Sequence, residues 1–539
     1  MKITIGNEHL TLEDFKKILF EDSTVTIGNK ATQRVEKCYD FLQSFTKNKL
    51  IYGINTGFGP MAQYRIEEAE QTQLQYNLIR SHTTGMGNTI APIFVKSTMI
   101  ARLNTLLKGY SGVHPELVEL LCNYINHDIL PVIYEHGSVG ASGDLVQLSH
   151  LALSLIGEGK VTDMKGNTQS TKDVIEDLSL EPFKIRLREA LALMNGTSAM
   201  TGIGVVNVIH AQNLMNWSII ASSMIVELVE SFNDHYSYEL NAVKLHKGQA
   251  YVAKKMRNAL KDSSLPKSRR EHHYDKKVTT NVLKEKMQEY YSIRCVPQIL
   301  GPIHDTIEQV IKVLMAEVNS VSDNPIVDAE REDVYHGGNF HGDCVSLEMD
   351  KLKTAITKLS MLSERQLNYL LNDKLNQILP PFVNLGKLGF NLGMQGAQFV
   401  ATSTVAENQT LSFPMYVHSI PNNNDNQDIV SMGSNSALLT SKVIENTFQV
   451  LAVEFLTIIQ AVDYLGFEDR LSSISQKVYH QLRELVPVFV EDTIMYPKIG
   501  AVKDYLQKTT MEITSKDNKI THTFEPVTTS EMEIECCPV

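Results

Sequence analysis

The triplet Ala141-Ser142-Gly143, inside the stretch GSVGASGDLVQLSH at 137–150, is where residue types and spacing could do unusual chemistry. Three small residues in a row, bracketed by glycine, permit a tight and strained backbone. In such a backbone the Gly143 amide nitrogen can reach the Ala141 carbonyl carbon. Closure of that ring with loss of two waters would leave a methylidene-imidazolone, an electrophile made from the chain itself. The same residues also suit an ordinary glycine-rich turn, in which Ser142 or Asp144 caps a helix beginning near Leu145. A second glycine-dense segment, YGINTGFGP at 52–60, lies far upstream and carries a tyrosine. Its presence favours the chemical reading.

Other candidates stand out against their surroundings. Arg294 is the lone basic residue in the run YYSIRCVPQIL at 290–300. Burying a guanidinium without a partner is expensive; a carboxylate held bidentately would resolve this, as would an internal salt bridge. Tyr291 shares a face with Arg294 if this piece is helical, and Gln288 continues the line. Asn195 precedes a glycine and suits either a helix cap or a hydrogen-bonding role. Phe340, in GGNFHG at 337–342, suits either core packing or contact with the ring. His272-His273 is not read as a metal pair, because adjacent residues do not share a helical face.

Eight motifs, in order, resemble the aromatic amino acid ammonia-lyase and aminomutase family: YGINTGFG at 52–59, NLIRSH at 77–82, GSVGASGDLVQLSH at 137–150, ALMNGTS at 192–198, EYYSIRCVPQ at 289–298, NSVSDNP at 319–325, GGNFHGD at 337–343 and NNDNQDIVSMG at 423–433. The resemblance spans about residues 5 to 505, and its phrasing is nearest to the bacterial tyrosine ammonia-lyases. It implies that Ala141, Ser142 and Gly143 form 4-methylidene-imidazol-5-one (MIO), to which a substrate amine adds. It implies Tyr52 as the base that takes the β-proton, a task for which its phenol needs a lowered pKa, with positive helix N-termini as a source. Tyr291 matches a second catalytic tyrosine, Arg294 the partner of the substrate carboxylate, and Gln288, Asn195 and Phe340 further substrate or ring contacts. The resemblance also implies a homotetramer whose sites draw on several chains, and no metal.

Specificity is expected where the substrate ring ends, and the family matches place His82, after Ser81, and Gln427 there, with Asn423 nearby. Histidine enzymes resemble one another in having glutamate where this chain has Gln427, and phenylalanine enzymes tend to be apolar at the position of His82. A phenolic hydroxyl satisfies His82, so the expectation is a tyrosine ammonia-lyase making trans-4-coumarate; histidine ammonia-lyase and tyrosine 2,3-aminomutase are the alternatives. A helical scaffold without activity is the reading from another class. Intact Ala141-Ser142-Gly143, Tyr52, Tyr291 and Arg294 argue against it.

The elements that must position these residues are helical. Apolar residues from Leu352 to Ile378 recur at three- and four-residue steps until Pro380-Pro381, which predicts one helix of about seven turns. Residues 436–465 contain no Gly or Pro and are apolar on more than one face, predicting a helix central in a bundle or buried by another subunit. Similar patterns cover 199–232 and 302–319. The runs ITI at 3–5 and VTIG at 25–28 predict a small ribbon or hairpin, and 261–287 an exposed loop or mobile arm. The expected fold is mainly α: residues 1–200 form an N-terminal α region with minor β that carries the lid and ring-forming loops, 201–508 an elongated bundle of long helices, and 509–539 a polar tail.

Composition excludes partners without naming one. A net charge of −12 with no basic block is a poor match for nucleic acid or a membrane surface. Six scattered cysteines without a C-x-x-C pair fit reduced thiols in a cytoplasm. The N-terminus does not read as a signal peptide, and Cys536-Cys537-Pro538-Val539 is a poor prenylation box.

Overall fold

The computed structural model describes residues 1–47, 49–275, 277, 279–283, 286–510 and 513. The polar tail from 514 and its terminal cysteines lie outside the described residues. The chain is mainly α, as expected, and its centre is a bundle of long helices.

Four helices make that centre: Ser198–Leu228, Val296–Val318, Asp343–Leu371 and Gly433–Leu465. Ser198–Leu228 is buried nearly all round, because Pro92–Leu106 covers the side away from the other three. Gly433–Leu465 is apolar and long enough to cross a membrane by composition, but the chain itself buries it, packed by Ser198–Leu228, Asp343–Leu371, Gln395–Leu411 and Tyr496–Lys508. Trp217 packs within the bundle: it is fully buried, edge-on to Phe455, and its indole N–H donates to the Leu506 carbonyl at 2.9 Å.

Three predicted elements differ from what forms. Lys2–Ile5 and Thr24–Ile27 pair in parallel, with Lys2 opposite Thr24, and are not a hairpin. The helix Leu12–Phe20 lies between them, and a crossover of that kind delivers the second strand in the same direction as the first. The helix predicted over 352–378 starts at Asp343 and ends at Leu371. Asn376 ends it early: its amide donates to the carbonyls of Tyr369, Leu370 and Asn372, groups a continuing helix would satisfy itself. Within 261–287, Arg270–Tyr274 forms a π-helical turn whose His272 and His273 pack on Phe232, with ring centroids 6.3 and 5.1 Å apart, while Arg269 pairs with Asp234. This part of the stretch is therefore held against the body of the protein.

Glu454, near the middle of Gly433–Leu465, is fully buried, and loss of solvent pushes its carboxyl from 4.5 up to about 8. The folded chain thus keeps a proton that the unfolded chain releases. Stability from this group is complete below about pH 4.5 and is lost as pH rises through about 8. Comparing urea unfolding of the parent and Glu454→Gln from pH 5 to pH 9 should show the balance moving toward the variant by several kcal/mol as pH rises.

Candidate active site

Residues 137–144 lie where four helices begin: Leu145–Leu155, Ser198–Leu228, Asp343–Leu371 and Gly433–Leu465. The first amides of a helix have no partner within it, and the aligned peptide dipoles leave that end partly positive. Here the loop's own oxygens meet those ends. The amide of Met432 donates to the Val139 carbonyl at 3.0 Å, and the Gly140 carbonyl accepts from the Gly342 amide and the Ser431 hydroxyl, each at 3.0 Å. Asp144 precedes its helix in the capping position but makes no side-chain cap there. Its buried carboxylate reaches across the interface instead, accepting from the Met200 amide at 2.8 Å, the Ser434 hydroxyl at 2.6 Å and the Ser138 hydroxyl at 2.8 Å. Burial pushes its pKa up, against the pull of these hydrogen bonds.

The ring-forming triplet is bent and closely covered. Gly143 has φ +69° and bridges Gly196 in parallel. A methyl group on Gly143 would stand 2.1 Å from the Gly196 carbonyl oxygen, so no other residue fits. Asn195 follows the helix Glu189–Met194 and donates its amide to the Ser142 carbonyl at 3.0 Å; the single Ser138 hydroxyl proton is shared between Asp144 and the Gly143 carbonyl, 3.2 Å away. The Ser142 hydroxyl accepts from the Gln427 amide at 2.8 Å. A bent Ala-Ser-Gly segment with donors on its carbonyls and a donor on the hydroxyl to be lost fits a methylidene-imidazolone.

Tyr52 is half-buried, its phenol oxygen accepting from the Gly59 amide at 3.3 Å and its ring edge-on to Phe58 and His336. Asn423 lies against the same Gly59: a methyl there would be 3.0 Å from the Asn423 amide nitrogen. The backbones of Asn422 and Gln427 pair with each other, which turns Gln427 toward Ser142. Tyr52, Asn423, Gln427, Ser142 and Asn195 thus form one connected group. Gln427, expected with His82 where the substrate ring ends, has its amide on the Ser142 hydroxyl in this structure. His82 ends the helix Glu68–His82, whose Gln75 also donates to the Gly53 carbonyl at 3.3 Å. His82 Nδ1 meets the Leu78 carbonyl at 3.0 Å. A carbonyl only accepts, so Nδ1 carries the proton and Nε2 is left with a lone pair. Burial holds the imidazole pKa down and favours this neutral form.

Gln288, Tyr291 and Arg294 form a second group. The Arg294 guanidinium lies 4.7 Å from the Tyr291 ring centroid and donates to the Gln288 side-chain oxygen. Tyr291–Arg294 is a single helical turn, and Gln288 precedes it in non-helical chain, so the three meet by a bend rather than along one helix face. The turn is held from below, where Tyr236 donates to the Ile293 carbonyl and Gln366 to the Ser292 carbonyl, both at 2.8 Å. Tyr291 is 68% exposed. Phe340 is half-buried in the turn before Asp343–Leu371. Among the described residues, no hydrogen bond, ion pair or ring contact joins Gln288, Tyr291, Arg294 or Phe340 to Ser142. Sequence reasoning did not single out Ser138, Met200 or Ser434, which hold Asp144; their only signal is distance in space.

The aromatic amino acid lyase family model matches residues 10–484. A MIO-dependent tyrosine 2,3-aminomutase of Streptomyces globisporus is 37% identical over 514 residues, which is 94% of this chain and 95% of that protein. A histidine ammonia-lyase of Staphylococcus aureus is 38% identical over 518 residues, 96% of this chain and all of that one. The crystal structure of the Streptomyces globisporus tyrosine aminomutase superposes with a TM-score of 0.90, covering 94% of this chain and 97% of that chain at 37% identity.

Removing the carboxylate that ties these helix starts together should be costly. Asp144→Ala strands a buried amide and two hydroxyls and should lower the unfolding free energy in urea by at least about 2 kcal/mol. Asp144→Asn keeps an acceptor for Met200 and should lose less.

Proposed function

The chain belongs to the aromatic amino acid lyase family, and on that footing we propose that it converts L-tyrosine to trans-4-coumarate and ammonia. His82 is the observation that carries tyrosine. Its Nδ1 proton is committed to Leu78, so its neutral Nε2 can accept a hydrogen bond from a phenol. An unsubstituted ring would leave that acceptor unpaired at about 1–3 kcal/mol, and a site built for a hydroxyl discriminates strongly against its absence. The neutral amide of Gln427 at Ser142 fits this reading, where the resemblance gives histidine enzymes a glutamate.

Ala141, Ser142 and Gly143 hold the prosthetic group as part of the backbone. Once formed, MIO supplies an electrophile that takes the substrate amine and makes ammonia a better leaving group. Tyr52 is then the base for the β-proton, in a loop whose Gly59 amide orients the phenol oxygen. Asn195 holds the Ser142 carbonyl and the four helix N-termini keep the surroundings positive. Arg294 pairs with the substrate carboxylate, with Tyr291 and Gln288 keeping its guanidinium in place. Since, among the described residues, no hydrogen bond, ion pair or ring contact joins Arg294, Tyr291 or Gln288 to Ser142, we read the working form as a homotetramer in which they and Phe340 reach the loop of another copy. The likeness to the Streptomyces globisporus aminomutase favours a second reading, in which ammonia returns to the β-carbon and β-tyrosine leaves.

Purified protein incubated separately with tyrosine, phenylalanine and histidine, with acrylates and β-amino acids resolved, should yield coumarate and ammonia in equal amounts from tyrosine. Ser142→Ala should lose both that activity and the prosthetic group's absorbance. Histidine turnover above tyrosine turnover would overturn the substrate assignment, and β-tyrosine as main product would establish the second reading. His82→Leu should lower the preference for tyrosine over phenylalanine in kcat/KM by about tenfold or more.

A further inference from the structure

His150 sits on Leu145–Leu155, the helix that starts directly after the ring-forming triplet. It lies six positions beyond Asp144, which on an α-helix is about 9 Å along the axis. Its Nε2 accepts the backbone N–H of Gly85 at 3.2 Å. An amide N–H only donates, so His150 carries its own proton on Nδ1 and must be neutral to make this bond. Burial favours the neutral form by lowering its pKa. The ring of Tyr134 stands edge-on to it at 5.4 Å.

Gly85 belongs to the turn that ends the helix carrying His82. After His82 the chain bends through Thr84, whose amide donates to the His82 carbonyl at 2.8 Å, and then reaches Gly85. From Met86 it pairs with Tyr134–His136. The approach of imidazole to backbone is close: a methyl on Gly85 would be 2.8 Å from His150 Nε2 and 3.1 Å from the Tyr134 β-carbon. The hydrogen bond therefore joins two stretches of chain. One carries the atoms that would bind the substrate amine, the other the imidazole that would bind its phenol.

We propose that His150 is a positioning residue for substrate choice: by anchoring Gly85 to the helix that follows Ala141-Ser142-Gly143, it sets the distance between the ring-forming loop and His82. That distance determines whether a side chain as long as tyrosine's meets His82 Nε2 with a usable hydrogen bond. His150 touches neither substrate nor prosthetic group and acts through the backbone at 83–85. The inference rests on the assignment of His82 to the phenol.

His150→Leu removes the acceptor, and His150→Gln restores one through its side-chain carbonyl. In His150→Leu the preference for tyrosine over phenylalanine in kcat/KM should fall about tenfold, through the tyrosine value, and His150→Gln should recover most of it. Adding His150→Leu to His82→Leu should leave that preference unchanged, because the group being positioned is gone. Hydrogen exchange of a peptide covering Gly85 should speed up in His150→Leu and stay slow in His150→Gln, with exchange elsewhere as in the parent. Exchange at Gly85 that is the same in all three proteins, or equal losses with tyrosine and phenylalanine, would overturn the proposal. Failure of the substrate assignment is separately visible: the parent would then show no preference for tyrosine, while the exchange comparison would still report on the Gly85 bond.

Discussion

Four helices of this protein begin at one place, and like ends of helices do not tolerate one another without something negative between them. Asp144 puts its side-chain oxygens there, bonded to the start of Ser198–Leu228 through Met200 and to the start of Gly433–Leu465 through Ser434. The carbonyls of Val139 and Gly140 meet two more amides, at Met432 and Gly342. The loop between 137 and 144 therefore serves as a common cap for much of the bundle. Its turn at Gly143 takes a conformation open to glycine and is covered by Gly196.

This arrangement accounts for how chemistry is distributed over the chain. Asn195 and Gln427 are bonded to the 137–144 loop directly. Tyr52 belongs to a separate loop, whose Gly59 bonds its phenol oxygen and lies against Asn423. Arg294 is organised on its own, stacked on Tyr291 and bonded to Gln288, on a turn fastened to the bundle by Tyr236 and Gln366. A guanidinium whose orientation is settled before a carboxylate arrives loses less freedom on binding it.

What could be read from residues in order was what depends on neighbours in order. The long helices follow from apolar spacing, and the ring-forming triplet from three small residues beside Gly140. The parallel pairing of Lys2–Ile5 with Thr24–Ile27 required weighing the helix between them. The end of Asp343–Leu371 depended on one amide, Asn376, folding back on the carbonyls. The partners of Asp144 at 200 and 434 leave no periodic trace. The bond of Gln427 to Ser142 was not legible either, because motif order says which residues matter, whereas which atom each one faces is decided by a turn such as that pairing Asn422 with Gln427.

The common cap also has a consequence in time. The pieces that hold the 137–144 loop come from residues near 195, 342 and 432 as well as its own. A ribosome delivers them over roughly three hundred residues of synthesis after the loop itself has emerged. A nascent or truncated chain that stops before Ser434 has every atom of Ala141-Ser142-Gly143 and the residues at 138, 195 and 196 that touch them, and lacks the Ser434 hydroxyl on Asp144. The full set of contacts on that loop therefore closes only once residues 427–434 have joined it.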